Sequence, residues 1–259
     1  MSWLDPREVP ALVLGAPPLK EVICQVRFPS VLRLEHDPLL VAKIQDRLRG
    51  TYPNVEAQAV FAIALPGGVS DSPQASLASR AWRLTDARND WVVAVASDFV
   101  ALSTHAYVEW ADFAARLAPV LSAVFEVAEI ATTSRVGLRY TNVVGETDIV
   151  GWNRMIVPEL LGWLTDPGAG VEVKSSLHEV RLQVDGSLVG FRYGILPEGH
   201  PIGTGYLVDV DCYSETPIEA TAENVIERVG AFNDVADRFF FNAITPEGLE
   251  SFEPRPKGG

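Results

Sequence analysis

Residues 135–142 of the 259-residue chain read Arg-Val-Gly-Leu-Arg-Tyr-Thr-Asn. If this segment is a strand, alternation places Arg135, Gly137 and Arg139 on one face. Two guanidiniums flanking a residue without a side chain would leave a notch able to grip a carboxylate or phosphate through paired N–H donors, with Asn142 as a further polar group beside it. The competing reading is internal pairing with acids such as Glu21 or Glu179, because a half-buried Arg needs a counter-charge. A second group is acidic. Asp209, Asp211, Glu215, Glu219, Glu223 and Glu227 follow one another with no Lys or Arg among them. Glu215, Glu219, Glu223 and Glu227 fall where a helix is expected to begin, so they suit either the positive end of its dipole or a docking face for a basic partner.

Residues with catalytic chemistry are fewer. His178, His200, Asp209 and Asp211 lie on or beside neighbouring expected strands, yet their spacings match no metal-ligand motif, so no metal site is assigned. Cys24 and Cys212 sit in apolar strand sequence with no neighbouring His, where a thiol packs as a small apolar group. No Gly-x-Ser-x-Gly elbow is present. Gly203-Thr204-Gly205 lacks a third Gly and precedes a strand instead of a helix, so it is no phosphate cradle. No catalytic residue and no cofactor is assigned, and the balance leans away from an enzyme. Trp82, Trp91, Trp110 and Tyr107 would stack bases on a basic sheet but are expected to fill a core.

Charge narrows the classes further. The 21 basic and 34 acidic side chains give a net charge of -13, which argues against neutralising nucleic-acid phosphates over a wide face. Arg47, Arg49, Arg80, Arg83 and Arg88 are the only contributors to a basic patch that the sequence offers. With 47% apolar residues the chain can bury a sizeable core. Two cysteines give no disulfide framework, the first residues lack the pattern of a signal peptide, and no stretch reaches the ~18 apolar residues of a membrane span. The expectation is a soluble cytoplasmic protein.

The elements that must position these groups follow from periodicity. Residues 21–28 alternate as a strand, and Asp37-Pro38 opens a helix to about 49. Strands are expected at 57–65, 81–85, 91–95, 99–104 and 134–144, with a mobile connection over 66–79. A helix from Trp110 has an apolar stripe and a Pro119 that should kink or split it. In the second half, a short helix over 158–164 precedes strands at 171–184, 187–196 and 205–213. Asp185-Gly186 signals a tight hairpin. Thr216-Pro217-Ile218-Glu219 reads as a capping box opening a long helix, whose apolar positions run from Val225 to Ala243. The leader 1–19 is expected to be irregular and the tail 254–259 frayed. Strands joined by hairpin-length links predict an α+β fold of antiparallel sheets, each covered by a long amphipathic helix. The split is placed at 1–150 and 151–259, and a shared order of elements raises two similar halves as a hypothesis.

Several segments carry a resemblance. Pro18-Leu19-Lys20-Glu21-Val22 leading to Val26-Arg27-Phe28, then Tyr107-Val108-Glu109-Trp110-Ala111-Asp112-Phe113, and the 135–142 segment resemble a family of uncharacterised bacterial proteins of about this length, described mainly by sporadic distribution. The resemblance implies no activity; sporadic occurrence would fit cargo of mobile or defence islands, such as an antitoxin or a sensor. The resulting expectation is a non-enzymatic interaction or regulatory protein with a protein partner, a homo-oligomer remaining open. The alternative is a small-molecule binder or metal-assisted hydrolase with its site between the C-terminal helix and its sheet.

Overall fold

Alternating apolar residues and short polar links dictate most of the strands. The computed structural model describes residues 12–60, 79–145, 149–166, 168 and 170–256. In chain order its elements are β1 (Leu12–Leu14), β2 (Leu19–Arg27), α1 (Arg33–His36), α2 (Pro38–Leu48), β3 (Asn54–Val60), β4 (Ser79–Thr85), β5 (Trp91–Val95), β6 (Phe99–Thr104), α3 (Trp110–Val127) and β7 (Arg135–Val144). There follow α4 (Ile149–Met155), α5 (Pro158–Leu161), β8 (Ser176–Val184), β9 (Ser187–Ile195), β10 (Tyr206–Ser214), α6 (Ala222–Ala243), α7 (Pro246–Ser251) and β11 (Pro254–Pro256). The fold is α+β. Its large antiparallel sheet runs β3-β4-β5-β6-β2-β7-β10-β9-β8, and a small sheet pairs β1 with β11.

The chain divides into two compact units, each built from separated stretches: Met1–Val22, Arg139–Cys212 and Ala231–Gly259 form one, Ile23–Leu138 and Tyr213–Gly230 the other. In the second of these, β3 to β6 are successive antiparallel neighbours. Asp37 caps α2 by accepting from the Leu39 amide at 3.0 Å. Helix α3 buries Phe113, Leu117, Val120, Leu121 and Val124. Around Phe113 gather Trp91 at 5.7 Å, Tyr107 at 6.0 Å and Trp110 at 6.1 Å between ring centres, and the Trp82 indole donates to the Leu34 carbonyl at 3.1 Å. Trp91 and Phe113 belong to the buried core, while Trp82, Tyr107 and Trp110 are half-buried at its margin.

In the first unit, β8 and β9 form a hairpin in which Val184 faces Ser187 across Asp185-Gly186. Both turn residues have positive φ, 50° and 79°, as a primed turn demands. Phe191 meets Phe239 of α6 at 5.2 Å. The buried Tyr206 hydroxyl donates to the Leu160 carbonyl at 2.9 Å, and the Tyr140 hydroxyl donates to Asn233 at 2.7 Å.

Several expected boundaries move. The helix expected from Thr216 begins at Ala222, because Thr133 donates its amide to the Ile218 carbonyl at 2.9 Å and Ala220 donates to Ala131 at 3.1 Å. Those bonds hold 218–220 extended, so the cap is Thr221, whose hydroxyl accepts from the Asn224 amide at 3.1 Å. Helix α3 runs through Pro119 as one element. The carbonyl that Pro119 leaves without its helical partner is that of Ala115, and both residues are exposed. The strand expected at 171–184 starts at Ser176, and part of the tail expected to fray pairs as β11 with β1, within the expected irregular leader. Residues 61–78, with the end of the strand expected at 57–65 and most of the connection at 66–79, lie outside the described residues.

Gly194 shows how tightly the hairpin is built. Its φ is 132°, and a Cβ there would fall 1.7 Å from the Ser176 carbonyl oxygen, so no side chain fits without separating the strands. Gly194→Ala is expected to cost about 3 kcal/mol or more, read as a lowered midpoint in urea unfolding; an unchanged midpoint would contradict this account of β8 and β9.

Candidate recognition face

The 135–142 segment does form a strand, but its polar residues go to three different places. The guanidinium of Arg135 folds back over Gly137, where a Cβ would lie 2.8 Å from its Nη1, and it stacks on the Tyr213 ring at 4.5 Å. The space beside Gly137 is therefore taken by Arg135 itself. Asn142 is buried and donates to the Val208 carbonyl at 3.2 Å, tying β7 to β10. Arg139 is paired with Asp209, not with Glu21 or Glu179.

Asp209 is the centre of the first unit's polar face. Its side chain is 0% exposed. Arg139 Nε donates to Oδ1 at 2.6 Å and Thr141 Oγ1 to the same oxygen at 2.8 Å. Arg192 donates to Oδ2 through Nε at 2.9 Å, and its Nη2 lies equally close. The two guanidinium side chains are only 15% and 18% exposed, so solvent weakens these contacts little. Burial pushes the Asp209 carboxyl above its usual range, against the pull of the Arg139 charge and the bonds from Arg139 and Thr141. With both oxygens occupied by donors, Asp209 fixes three strands instead of reacting.

Cross-strand pairing extends the row. Glu179 on β8 lies directly opposite Arg192 on β9, which puts both on one face. From the sheet edge inward the charges run Glu179, Arg192, Asp209, Arg139, alternating in sign. Beside Glu179, Arg181 bonds it at 3.2 Å. Arg192 was missed by sequence reasoning, although the Asp185-Gly186 turn alone sets the register that places it across from Glu179.

The other sequence candidates are dispersed. His178 stacks on Tyr193 at 5.0 Å between ring centres, His200 accepts from the Ile202 amide within its own turn, and among the described residues no group of three or more His, Cys, Asp or Glu is placed to hold a metal ion. Arg47, Arg49 and Arg83 are ion-paired with Glu126, Asp46 and Glu56, which draws down the basic patch they would form. Glu215, Glu219, Glu223 and Glu227 are all exposed. Only Glu223 lies in the first turn of α6; Glu215 and Glu219 belong to the extended lead-in, and Glu227 sits one turn further along. An open groove of about 440 Å³ lies where the β8–β9 turn meets α6, lined by Asp185, Ser187, Asp234, Val235, Asp237 and Arg238, and Arg238 is ion-paired with Asp185 there.

Both thiols are buried. Burial pushes Cys24 up to about 12 from 9.0, opposed by the Arg135 charge, and raises Cys212 as well, with Asp211 adding to the rise.

Removing Arg139 leaves Asp209 buried with one guanidinium fewer, so Arg139→Ala is expected to destabilise by roughly 3 kcal/mol in chemical unfolding; a variant as stable as the parent would show that the cluster is not structural. Because the folded pKa of Cys24 lies above its unfolded value, its contribution is intact below about 9 and is lost as pH rises towards 12. Unfolding free energy measured over that window should fall less steeply in Cys24→Ala, and thiol reagents should label neither cysteine until the chain unfolds. Compared with models of protein families the chain matches none, and no curated protein matches it.

Proposed function

We propose that this protein works by recognition and not by catalysis, as a cytoplasmic interaction or regulatory protein whose macromolecular partner is a basic protein docking on Glu215, Glu219, Glu223 and Glu227. The observation that carries the reading is that these four carboxylates are exposed while the helix dipole accounts for one of them. Glu223 and Glu227 are like charges four residues apart on a helix, an arrangement that costs a few tenths of a kcal/mol. A cluster that brings no stability is better explained by what it meets. The family resemblance adds an antitoxin-like or defence-associated role, which the reading frames adjoining its gene would test directly.

Two related halves are part of the same proposal. From β2 the chain passes through helices and a run of strands to β6 and α3; from β7 it passes through helices and strands to β10 and α6. Outward from β2 the sheet reads β6-β5-β4-β3, and outward from β7 it reads β10-β9-β8, the same order apart from the additional edge strand β3. The matching order supports a duplication with its second copy opening at β7 instead of at residue 151.

The groove beside Asp185 and Arg238 supports the second reading, a small-molecule binder or metal-assisted hydrolase, because carboxylates and one guanidinium converge on it. A ligand screen by thermal shift, repeated on Arg238→Ala, separates the two readings.

The docking reading predicts that the immobilised full chain retains a basic protein from its native lysate at low salt and releases it as ionic strength rises. The variant with all four glutamates changed to Gln should retain none of it, while melting at the same temperature or slightly higher. Equal retention by the variant would remove the acidic cluster from the function.

A further inference from the structure

Strand β8 ends the large sheet: among the described residues its one neighbour is β9. Natural sheet edges are protected by charged side chains, Lys above all, by Pro, by bulges or by short length, and the charges on β8, Glu179 and Arg181, are of opposite sign and bonded to each other. β8 is nine residues long, Ser-Leu-His-Glu-Val-Arg-Leu-Gln-Val, and carries neither Pro nor Lys. Five successive residues, Leu177 to Arg181, are exposed, including Leu177 at 53% and Val180 at 37%. Its backbone direction is also set. Residues flanking a two-residue turn exchange both hydrogen bonds, so Val184 and every second residue before it bond to β9. Leu177, Glu179, Arg181 and Gln183 then turn their N–H and C=O groups outward.

We propose that a second copy of this chain occupies this edge, β8 pairing antiparallel with the partner's β8 about a two-fold axis at Val180, so that the two large sheets continue as one. The charge pattern selects the occupant. With the axis at Val180, Glu179 faces the partner's Arg181 and Arg181 faces the partner's Glu179. Moving the axis one residue either way sets Glu179 on the partner's Glu179, or Arg181 on the partner's Arg181. In a chain of net charge -13 most surfaces repel a second copy, whereas this edge is neutral and self-complementary, as an isologous contact requires. The row Arg139, Asp209, Arg192, Glu179 then continues with unbroken alternation into the partner's Arg181. On the opposite face Val180 meets the partner's Val180 as a non-hydrogen-bonded pair, the closer of the two cross-strand geometries, which removes exposed apolar surface from water. This contact is independent of the acidic cluster on the other unit.

Sedimentation equilibrium of the full chain tests it. The wild type should be dimeric at micromolar concentration. Arg181→Glu alone and Glu179→Arg alone each set like charges across the axis and should weaken the dimer by roughly tenfold or more. Mixing the two variants should restore a dimer, since the partner's residues are then opposite in charge at both contacts. Val180→Cys should join two copies by a disulfide on mild oxidation, as cross-strand Cα spacing there suits one, whereas His178→Cys should not. A wild type that stays monomeric, single variants as dimeric as the parent, or a mixture that fails to recombine would each overturn the proposal, as would efficient cross-linking at His178→Cys with none at Val180→Cys.

Discussion

A carboxylate removed from water must be surrounded by donors or it will not stay charged, and Asp209 meets that demand with two guanidiniums and a hydroxyl. Arg139 and Thr141 come from β7, Arg192 from β9 and Asp209 from β10, so one buried charge pins three strands in register. A slip of one residue would carry Asp209 to the apolar face occupied by Val208 and Val210, and would strand both arginines. The segment that first suggested a ligand notch is thus a fastening within the sheet.

The same constraint explains what the first unit offers to the outside. Its inner charges at Asp209, Arg139 and Arg192 are consumed by one another, and burial raises the Cys212 thiol. Among the groups that face outward are the far end of the charge row on β8 and those lining the groove beside Asp185. In the second unit Arg47, Arg49 and Arg83 are matched with acids, while the glutamates around the start of α6 have solvent on them.

Legibility in the sequence followed locality. Strands β2, β5, β6, β7 and β9 could be read because alternation and turn residues act over a few positions, and α2 because Asp37 and Pro38 mark its start. The start of α6 could not be read. Thr216-Pro217-Ile218-Glu219 has the composition of a cap, yet its backbone is claimed by Ala131 and Thr133, some 85 residues away in the chain. The pairing of β1 with β11 was hidden for the same reason, since neither three-residue strand has a period. At the site, Arg139 was recognised as needing an acid, but choosing Asp209 over Glu21 or Glu179 required the strand order. Arg192 was within reach, because the Asp185-Gly186 turn fixes its opposite number.

The small sheet has a temporal corollary. Among the described residues Leu12–Leu14 pairs with Pro254–Pro256 alone, and the unit holding both also draws on the middle of the chain. A ribosome delivers these pieces in order, so β1 must wait for this partner until the segment that carries β11 has been made. A chain cut before Pro254 would leave Leu12–Leu14 without the strand it pairs with.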